Sequence, residues 1–535
     1  MSSDRLQPGR VVVGGAPEGF DAQWLAGLAE RTGGIVVHAA RDAGRVQALR
    51  EGLRFFAPGL PVQVFPAWDC VPYDRVSPAA EISAARMALL AGLTRAQPGA
   101  QVLLTTINAA AQRVPAREVL AGASFSLRVG KQVDVEGLRA WLARMGFAQA
   151  PTVTEPGDFA VRGGLIDIFP PGADQPVRLD LFGDVLDGIR RFDPATQRSE
   201  AAIDRIDLAP ASEVILDEAA IQRFRQNYRV EFGAAGTDDP LYEAVSAGRK
   251  AQGMEHWLPF FHDRLETLLD YVPDAPVVLD DQFHAAHEAR WAAIDEQYQA
   301  RRDALADKSR MATVYKPVPP ELMYMDPDHW DAAVADRPVR QLSVLPQPVG
   351  LGTIDAGGRV GRSFAPERQR EEISLFSALA DHVRAKRKDG HVLLACYSEG
   401  ARERMGTLLE DAGIEDARPI EAVRDLPDGK GGMFLAVIAL ETGFEAPGLT
   451  VITEQDILGD RLIRAPKRRR RAENFLTEAQ ALSPGDLVVH VDHGVGRYQG
   501  LEVVSAAGAA HECLLLEYAE GSKLYLPVEN IELLS

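Results

Sequence analysis

The chain has 535 residues, enough for about three to five domains of ordinary size. Its formal net charge of −19 predicts repulsion from duplex DNA, so any DNA contact must be indirect or local. The three cysteines lie too far apart for a zinc CxxC site or a disulfide framework. No apolar run is long enough for a membrane span, and we expect a cytoplasmic protein.

Strands and helices alternate over residues 1–123, which predicts a parallel sheet covered by helices. The predicted strands are 11–13, 35–38, 62–65 and 102–105, and the predicted helices are 22–31, 46–56 and 83–93. The first strand, the glycine loop after it and the first helix have the order of a phosphate-binding P-loop.

The glycine loop lacks the groups that bind a nucleotide. A P-loop needs a lysine and a Ser or Thr after its last glycine, but Gly19 is followed by Phe20, Asp21 and Ala22. A carboxylate at this place would repel a triphosphate. We therefore predict a structural turn here, and no catalytic or cofactor-binding residues in the chain.

Two histidine pairs have spacings that could place both rings at one metal ion. His284 and His287 lie three residues apart on a predicted helix, and His490 and His493 lie in a strand and the turn after it. Neither pair has a third ligand indicated nearby. We expect solvated or structural histidines and no metal site.

Residues 124–209 predict a small α+β module with a helix at 135–146 and strands at 159–169 and 177–183. In VRLDLF (177–182), the aliphatic residues alternate onto one face. Arg178, Asp180 and Phe182 share the other face, and Arg178 and Phe182 are unusual on a face that is otherwise polar. This pair fits a protein interface, but Phe182 could equally pack beneath a helix while Arg178 pairs with Asp180 or Asp184.

Residues 210–345 predict a mainly helical region, and the Pro/Gly-rich residues 330–365 predict a linker. Over 346–463, strands at 391–396, 433–440 and 449–453 with helices at 371–386 and 401–412 predict a second α/β domain. A basic linker, 464–477, follows. Its run of cations is either a solvated segment or a nucleic-acid contact, and it consists of Lys467, Arg468, Arg469, Arg470 and Arg471.

Residues 478–535 predict short strands that form a small barrel. Eight acidic against two basic residues from 481 onward give a net charge of −6, which disfavours DNA and suits a basic protein surface. Three of the four residues 501–504 are aliphatic. At least one cannot face the core of a strictly alternating strand, so we expect an exposed edge that a partner strand can join.

Several stretches resemble one family, the transcription-repair coupling factors (Mfd). The first is FPAWDCVPYDRVSP (65–78). GDFAVRGGLIDIFPPG (157–172) and VRLDLFGDVLDGIRRFDPATQRS (177–199) resemble the region that these proteins share with the repair protein UvrB. DLVVHVDHGVGRYQGLEVV (486–504) is similar to their polymerase-interacting module, which is of the CarD type. The matches run through nearly the whole chain in family order.

The resemblance implies a multidomain α/β fold. It consists of a degenerate UvrB-like P-loop-type domain with an inserted α+β module, a second α/β domain and a C-terminal CarD-like barrel of the SH3/Tudor class. It also implies an adaptor for transcription-coupled nucleotide excision repair. UvrA would bind at Arg162, Arg178 and Phe182, and the RNA polymerase β subunit at Arg497, Leu501, Val503 and Val504.

The family's ATP-driven translocase, with its ATP and magnesium, has no counterpart among the motifs of this chain, so we expect no enzyme here, and a monomer. Two other interpretations stay open. One is an ATP-dependent enzyme of the UvrB or helicase type, and the other is a CarD-like transcription regulator that acts only through the barrel.

Overall fold

The computed structural model describes residues 7–95, 99–233, 239–306, 315–348, 350–369, 374–429, 431–459, 485, 487–490, 494–506, 509–518 and 522–527. The chain divides into two compact units, residues 1–463 and 464–535. Among the described residues, no helix combines the length and the apolar character that crossing a membrane requires.

The strand–helix alternation predicted for the first 123 residues is confirmed. The elements are β1 (Gly9–Gly14), α1 (Phe20–Thr32), β2 (Ile35–Ala40), α2 (Ala43–Phe56), β3 (Val62–Phe65), α3 (Ala80–Leu93), β4 (Gln101–Thr106), α4 (Ile107–Ala110), β5 (Val114–Pro115) and α5 (Arg117–Gly122).

A strand-rich module follows, as predicted, with one helix. Its elements are β6 (Phe125–Arg128), α6 (Val135–Arg144), β7 (Ala148–Gln149), β8 (Asp158–Arg162), β9 (Leu165–Ile168), β10 (Val177–Phe182), β11 (Val185–Phe192), β12 (Ser199–Ile203) and β13 (Arg205–Leu208).

The next region is mainly helical. Its elements are α7 (Glu218–Phe232), α8 (Pro240–Ser246), a 3-10 turn (Met254–Trp257), α9 (Leu258–Phe261), β14 (Leu265–Glu266), α10 (Leu268–Tyr271), β15 (Val277–Leu279), α11 (Phe283–Ala306), α12 (Pro320–Met323), α13 (Pro327–Val334) and β16 (Pro338–Leu342).

The rest of the first unit returns to alternating strands and helices. Its elements are β17 (Thr353–Asp355), β18 (Arg359–Val360), α14 (Ala365–Arg368), α15 (Leu375–Lys386), β19 (His391–Cys396), α16 (Glu399–Asp411), β20 (Arg418–Pro419), a 3-10 turn (Val423–Asp425), β21 (Met433–Val437), β22 (Phe444–Ala446), β23 (Leu449–Thr453) and α17 (Glu454–Leu458).

Many helices begin at a side chain that caps their first free N–H groups. Asp42, Asp134 and Asp217 each accept a hydrogen bond from a backbone N–H three residues later, at α2, α6 and α7. Helix α1 begins differently, after Gly19 with φ +91°. Its first turn is satisfied by Asp21, a residue of the helix itself.

Seven parallel strands form the first sheet in the order β17-β1-β16-β15-β2-β4-β3. The prediction of a linker at 330–365 is wrong. Strand β16 lies inside this sheet between β1 and β15, and β17 adds to its edge beside β1. Strand β18 pairs instead with β22 in a second, mixed sheet ordered β18-β22-β23-β19-β21-β20, in which β18, β22 and β23 pair antiparallel and the other strands pair parallel.

One hydrophobic core is shared by the two α/β parts of the first unit. It joins β1, α1 and α2 to residues of β19, β21, β22 and β23. Phe444 of β22 is fully buried, and its ring centroid lies 5.6 Å from that of Phe20 and 6.0 Å from that of Phe56. The two sheets are therefore packed together through the first helices.

The module at 125–208 has its own six-stranded sheet, ordered β12-β11-β10-β9-β8-β7. Strands β8 to β12 pair antiparallel with one another, and the short β7 pairs parallel with β8. One face packs on helix α6 around Trp141 and Leu142. On the other face, the middle strands expose side chains such as Asp180, Phe182 and Arg190 to solvent.

The second unit contains an antiparallel sheet ordered β24-β25-β26-β27, built from β24 (Leu487–His490), β25 (Gly494–Ala506), β26 (Ala509–Glu517) and β27 (Lys523–Pro527). Its described core includes Val488, Tyr498, Leu514 and Leu516. The short strands predicted for the C-terminal region are confirmed as a small antiparallel sheet. Closure of this sheet into a barrel stays a prediction.

Candidate functional site

The glycine loop between β1 and α1 has its backbone donors occupied by the protein itself. The Gly15 N–H donates to the carbonyl oxygen of Leu345 at 3.1 Å, and the Ala16 N–H donates to that of Ser343 at 3.0 Å. In a phosphate-binding loop, such N–H groups are directed at the ligand. Here the residues that follow β16 accept their hydrogen bonds.

Asp21 places a carboxylate at the start of helix α1, where a phosphate would otherwise bind. Its Oδ1 atom accepts hydrogen bonds from the N–H groups of Gly19 at 2.9 Å and Ala22 at 2.8 Å. The side chain is buried, and Arg45 donates to its other oxygen. Burial, the largest effect, raises the pKa of Asp21 to about 6, although the nearby Arg45 lowers it. An internal anion therefore fills the anion-binding position.

The charges around Asp21 leave no excess of positive charge for a triphosphate. Arg45 lies 3.2 Å from Glu18 and 3.7 Å from Asp280, and Arg41 lies 2.8 Å from Glu18. Four carboxylates, those of Glu18, Asp21, Asp42 and Asp280, thus share two guanidinium groups. That Asp21 repels a nucleotide stays a prediction.

The predicted linker covers the same loop. The Gly358 N–H donates to the carbonyl oxygen of Gly15 at 2.9 Å. A Cβ atom on Gly15 would lie 2.6 Å from side-chain atoms of both Asp355 and Arg359, which form an ion pair. A Cβ on Gly19 would lie 3.2 Å from the ring of Phe444. The glycines therefore permit close packing by other parts of the chain.

Arg162, Arg178 and Phe182 are brought together on one face of the six-stranded sheet. Ala160 lies opposite Asp167, and Asp167 lies opposite Arg178. Strand alternation then puts Arg162, two residues after Ala160, on the same face. The predicted alternation of VRLDLF is confirmed, and Phe182 has 83% of its surface exposed. The alternative in which Phe182 packs beneath a helix is wrong.

Arg178 is held by a carboxylate that the sequence analysis missed. Its Nε and Nη2 atoms donate to the two oxygens of Asp167 at 2.7 and 2.8 Å, so the alternative pairing with Asp180 or Asp184 is wrong. The guanidinium also lies 4.7 Å from the centre of the Phe192 ring. The signal for this pair was an acid within the apolar strand LIDI, but finding its partner required the register between β9 and β10.

Arg162 is exposed at the end of β8. Its Nη2 atom donates to the carbonyl oxygen of Pro151 and lies 3.3 Å from the hydroxyl oxygen of Thr152. Hydrogen bonds to neutral groups leave its charge uncompensated. Arg162 therefore has the exposure that a contact residue needs.

The candidate residues of the second unit lie on β25. Arg497 is exposed and donates to the carbonyl oxygen of Gly485 at 2.9 Å. Leu501, Val503 and Val504 pair with β26, while the pairing of β24 with β25 ends at Arg497. Among the described residues, the other edge of β25 is thus open beyond this point. The side chains of Leu501, Val503 and Val504 lie outside the described residues.

The remaining candidates either lie outside the described residues or have a structural contact. The run Lys467, Arg468, Arg469, Arg470 and Arg471 lies outside the described residues, as do His493 and the side chain of His490. His287 is buried, and its Nε2 atom lies 2.9 Å from the carbonyl oxygen of Met325. In the described part of the chain, no cluster of three or more His, Cys, Asp or Glu residues has a metal-binding arrangement.

Three family models match the chain, in order. They are described as the UvrB interaction domain, at residues 125–214, the MFD D3 domain, at 385–457, and the CarD-like/TRCF RID domain, at 482–535. The first contains the exposed Phe182, and the last contains the four-stranded sheet.

Curated relatives match along nearly the whole chain. A transcription-repair-coupling factor from Escherichia coli is 31% identical over 96% of this chain and 44% of its own length. Similar proteins from Haemophilus influenzae and Bacillus subtilis are 29% and 25% identical, each over 98% of this chain. They are matched over 45% and 46% of their own lengths. The chain thus spans less than half the length of these relatives.

Proposed function

We propose that this chain, which over the part it spans belongs to the transcription-repair-coupling factor family, links RNA polymerase to the excision-repair protein UvrA. The observation that carries the proposal is that a UvrB interaction domain and a CarD-like/TRCF RID domain occur in one chain. A protein with both surfaces can direct repair to transcribed DNA.

We assign UvrA binding to the sheet face with Arg162, Arg178 and Phe182. An aromatic ring that is 83% exposed beside arginines is typical of an interface anchor, since Phe, Tyr, Trp and Arg are enriched in protein interfaces. The residues lie within the span that matches the UvrB interaction domain. Within the described residues, no other part of the chain covers this ring, so contact with a partner would remove it from water.

We assign RNA polymerase binding to the C-terminal sheet, through Arg497, Leu501, Val503 and Val504. Strand β25 extends past the end of its pairing with β24, and an open strand edge is suited to pairing with a partner strand. The proposed partner is the polymerase β subunit. We also propose that the sheet closes into a small SH3-like barrel.

We propose that the chain binds no nucleotide and acts as an adaptor, while ATP-driven translocation belongs to other parts of the family's proteins. Support comes from the glycine loop, where protein oxygens already accept the hydrogen bonds of Gly15, Gly19 and Ala22. The same support weighs against the interpretation as a UvrB-like ATPase. ATP binding would raise the melting temperature, so an unchanged melting temperature with MgATP is the expected result.

Two binding assays on one protein test the adaptor. Purified chain is measured against UvrA and against the N-terminal region of the polymerase β subunit. Phe182→Ala is expected to weaken only the first interaction, and Val504→Arg only the second. A chain that binds polymerase but not UvrA would instead favour a CarD-like regulator, and a chain that binds neither would refute the proposal.

A further inference from the structure

The exposed sheet face continues from β10 onto β11. In the antiparallel register of these strands, Arg178 lies opposite Arg190, and Asp180 lies opposite Gly188. Directly opposed residues point to the same side of a sheet. Arg190 and Gly188 therefore belong to the face that exposes Phe182.

The two arginines of this face differ in their electrostatic state. Arg178 is neutralised by the buried carboxylate of Asp167, which binds it through two hydrogen bonds. Arg190 is exposed, and within the described ranges no carboxylate lies within ion-pair distance of its guanidinium. Asp180, which is exposed two residues after Arg178 on β10, has no Lys or Arg within ion-pair distance among the described residues. Arg190 thus carries a positive charge that is available to a partner.

Gly188 lies in β11 where the register against β10 shifts, because Gly188 lies opposite Asp180 but Leu186 lies opposite Leu181, which leaves Asp187 as an extra residue. The backbone of Gly188 is not in the left-handed region, and a Cβ atom built on it meets no atom within 4 Å. A glycine in a strand interior often marks a bulge or a place where another backbone or a ligand approaches closely, and the open space above Gly188 permits such an approach beside the bulge. The face therefore has a notch between the position of Phe182 and that of Arg190.

We infer that the docking footprint for UvrA runs from Phe182 across the notch at Gly188 to Arg190. The inference rests on the proposed UvrA function. Because Arg190 lies opposite Arg178, it is displaced from Phe182 by about four residues, or about 13 Å along the strands. The matching surface of UvrA presents an apolar pocket for the ring and a carboxylate for Arg190, with a close backbone approach between them.

Arg191 supplies a matched control for the charge. It is exposed on the same strand but lies opposite the buried Val177, so it points to the other side of the sheet. Affinity for UvrA is measured from 50 to 200 mM salt. Arg190→Ala is expected to weaken binding about tenfold at low salt and to flatten the salt dependence. Arg191→Ala is expected to change affinity less than twofold, and Arg190→Lys to retain much of the salt dependence.

A second variant tests the notch without removing any contact. Gly188→Val replaces glycine by a strand-favouring residue in open space, so the melting temperature is expected to stay or rise. UvrA affinity is expected to fall at least tenfold because the added methyl groups hold the partner's backbone away. Ala201→Val, an exposed position on the opposite side of β12 from Ala202, adds similar bulk and is expected to have no effect.

The outcomes distinguish a failure of the proposed UvrA binding from a failure of the extended footprint. If the unaltered chain fails to bind UvrA, the proposed function is refuted. If it binds, and Phe182→Ala abolishes binding while folded Arg190→Ala and Gly188→Val bind normally, the extended footprint is refuted and the proposed function stands. Equal effects of Arg190→Ala and Arg191→Ala would also overturn the footprint, since only general charge would then be involved.

Discussion

The glycine loop and the sheet face with Phe182 differ in whether the chain itself supplies contacts for their polar and apolar groups. At the loop, carbonyl oxygens accept hydrogen bonds from the N–H groups of Gly15 and Ala16, and Asp21 accepts those of Gly19 and Ala22, so the chain itself fills positions that a ligand could occupy. At the sheet face, a large aromatic ring remains 83% exposed and Arg190 has its charge uncompensated. A loop whose N–H groups are hydrogen-bonded within the chain has a structural role. Apolar and charged side chains that are exposed together on a surface indicate a binding partner.

The largest effect is expected where the two α/β parts close over the loop. Phe444→Ala should lower the free energy of unfolding by about 3–5 kcal/mol, because it opens a cavity against Phe20 and Phe56. Denaturant unfolding measures the change. The control is Val437→Ala, since Val437 is partly exposed. A loss below about 1 kcal/mol for Phe444→Ala would show that the loop is not closed by this packing.

The next effect should come from the anchored arginine of the open face. Arg178→Ala leaves the buried Asp167 carboxylate without its partner, and we expect a stability loss of about 3 kcal/mol. The exposed Arg162→Ala should cost less than about 0.5 kcal/mol. In a double-mutant cycle with Asp167→Ala, the losses should be far from additive. Additive losses would mean that the pair does not support the face.

The ring of Phe182 should affect binding and not folding. Phe182→Ala is expected to weaken UvrA binding by about 2 kcal/mol, the scale of an interface hot spot. The free energy of unfolding should stay within about 0.5 kcal/mol, because an exposed side chain contributes little to the core. Calorimetric titration and denaturant unfolding of the same preparation separate the two. If Phe182→Ala lowers the free energy of unfolding as much as it lowers the free energy of UvrA binding, the ring supports the fold and is not a dedicated contact residue.

The smallest effect concerns the pH dependence of the closed loop. Burial raises the pKa of Asp21 from its ordinary value of 3.8 to about 6, so between these values the folded state binds more protons than the unfolded state. The contribution of Asp21 to stability therefore falls as the pH rises through this window. The stability of the unaltered chain minus that of Asp21→Asn should fall by about 1 kcal/mol per pH unit there.

Denaturant unfolding at intervals from pH 4 to pH 8 measures this difference. Asp180→Asn removes an exposed carboxylate of the open face and serves as the matched control. A difference between the unaltered chain and Asp21→Asn that rises with pH, or that does not change, would show that burial does not raise the pKa of Asp21 above its ordinary value.

Local patterns in the sequence predicted much of both regions. The order of β1, the glycine loop and α1 was readable, and so was the alternation that exposes Phe182, because both depend on neighbouring residues. The partner of Arg178 was not readable, since Asp167 meets it only through the register of β9 against β10.

The covering of the loop was also missed, for a related reason. A three-residue strand such as β17 has no periodicity of its own, and the Pro/Gly-rich sequence around it favoured a linker. Its place is decided by β1, about 340 residues earlier in the chain. The contact of Phe444 with Phe20 is still more distant in sequence, so no local pattern could indicate it.

The short connection between β17 and β18 has a mechanical consequence. Strand β17 ends at Asp355 on the first sheet, and β18 begins at Arg359 on the second, so three residues join them. Such a tether spans only about 10–15 Å when taut. A force that pulls the second sheet away would therefore be transmitted directly to β1, and the tether would have to peel a strand from one sheet before the two could separate.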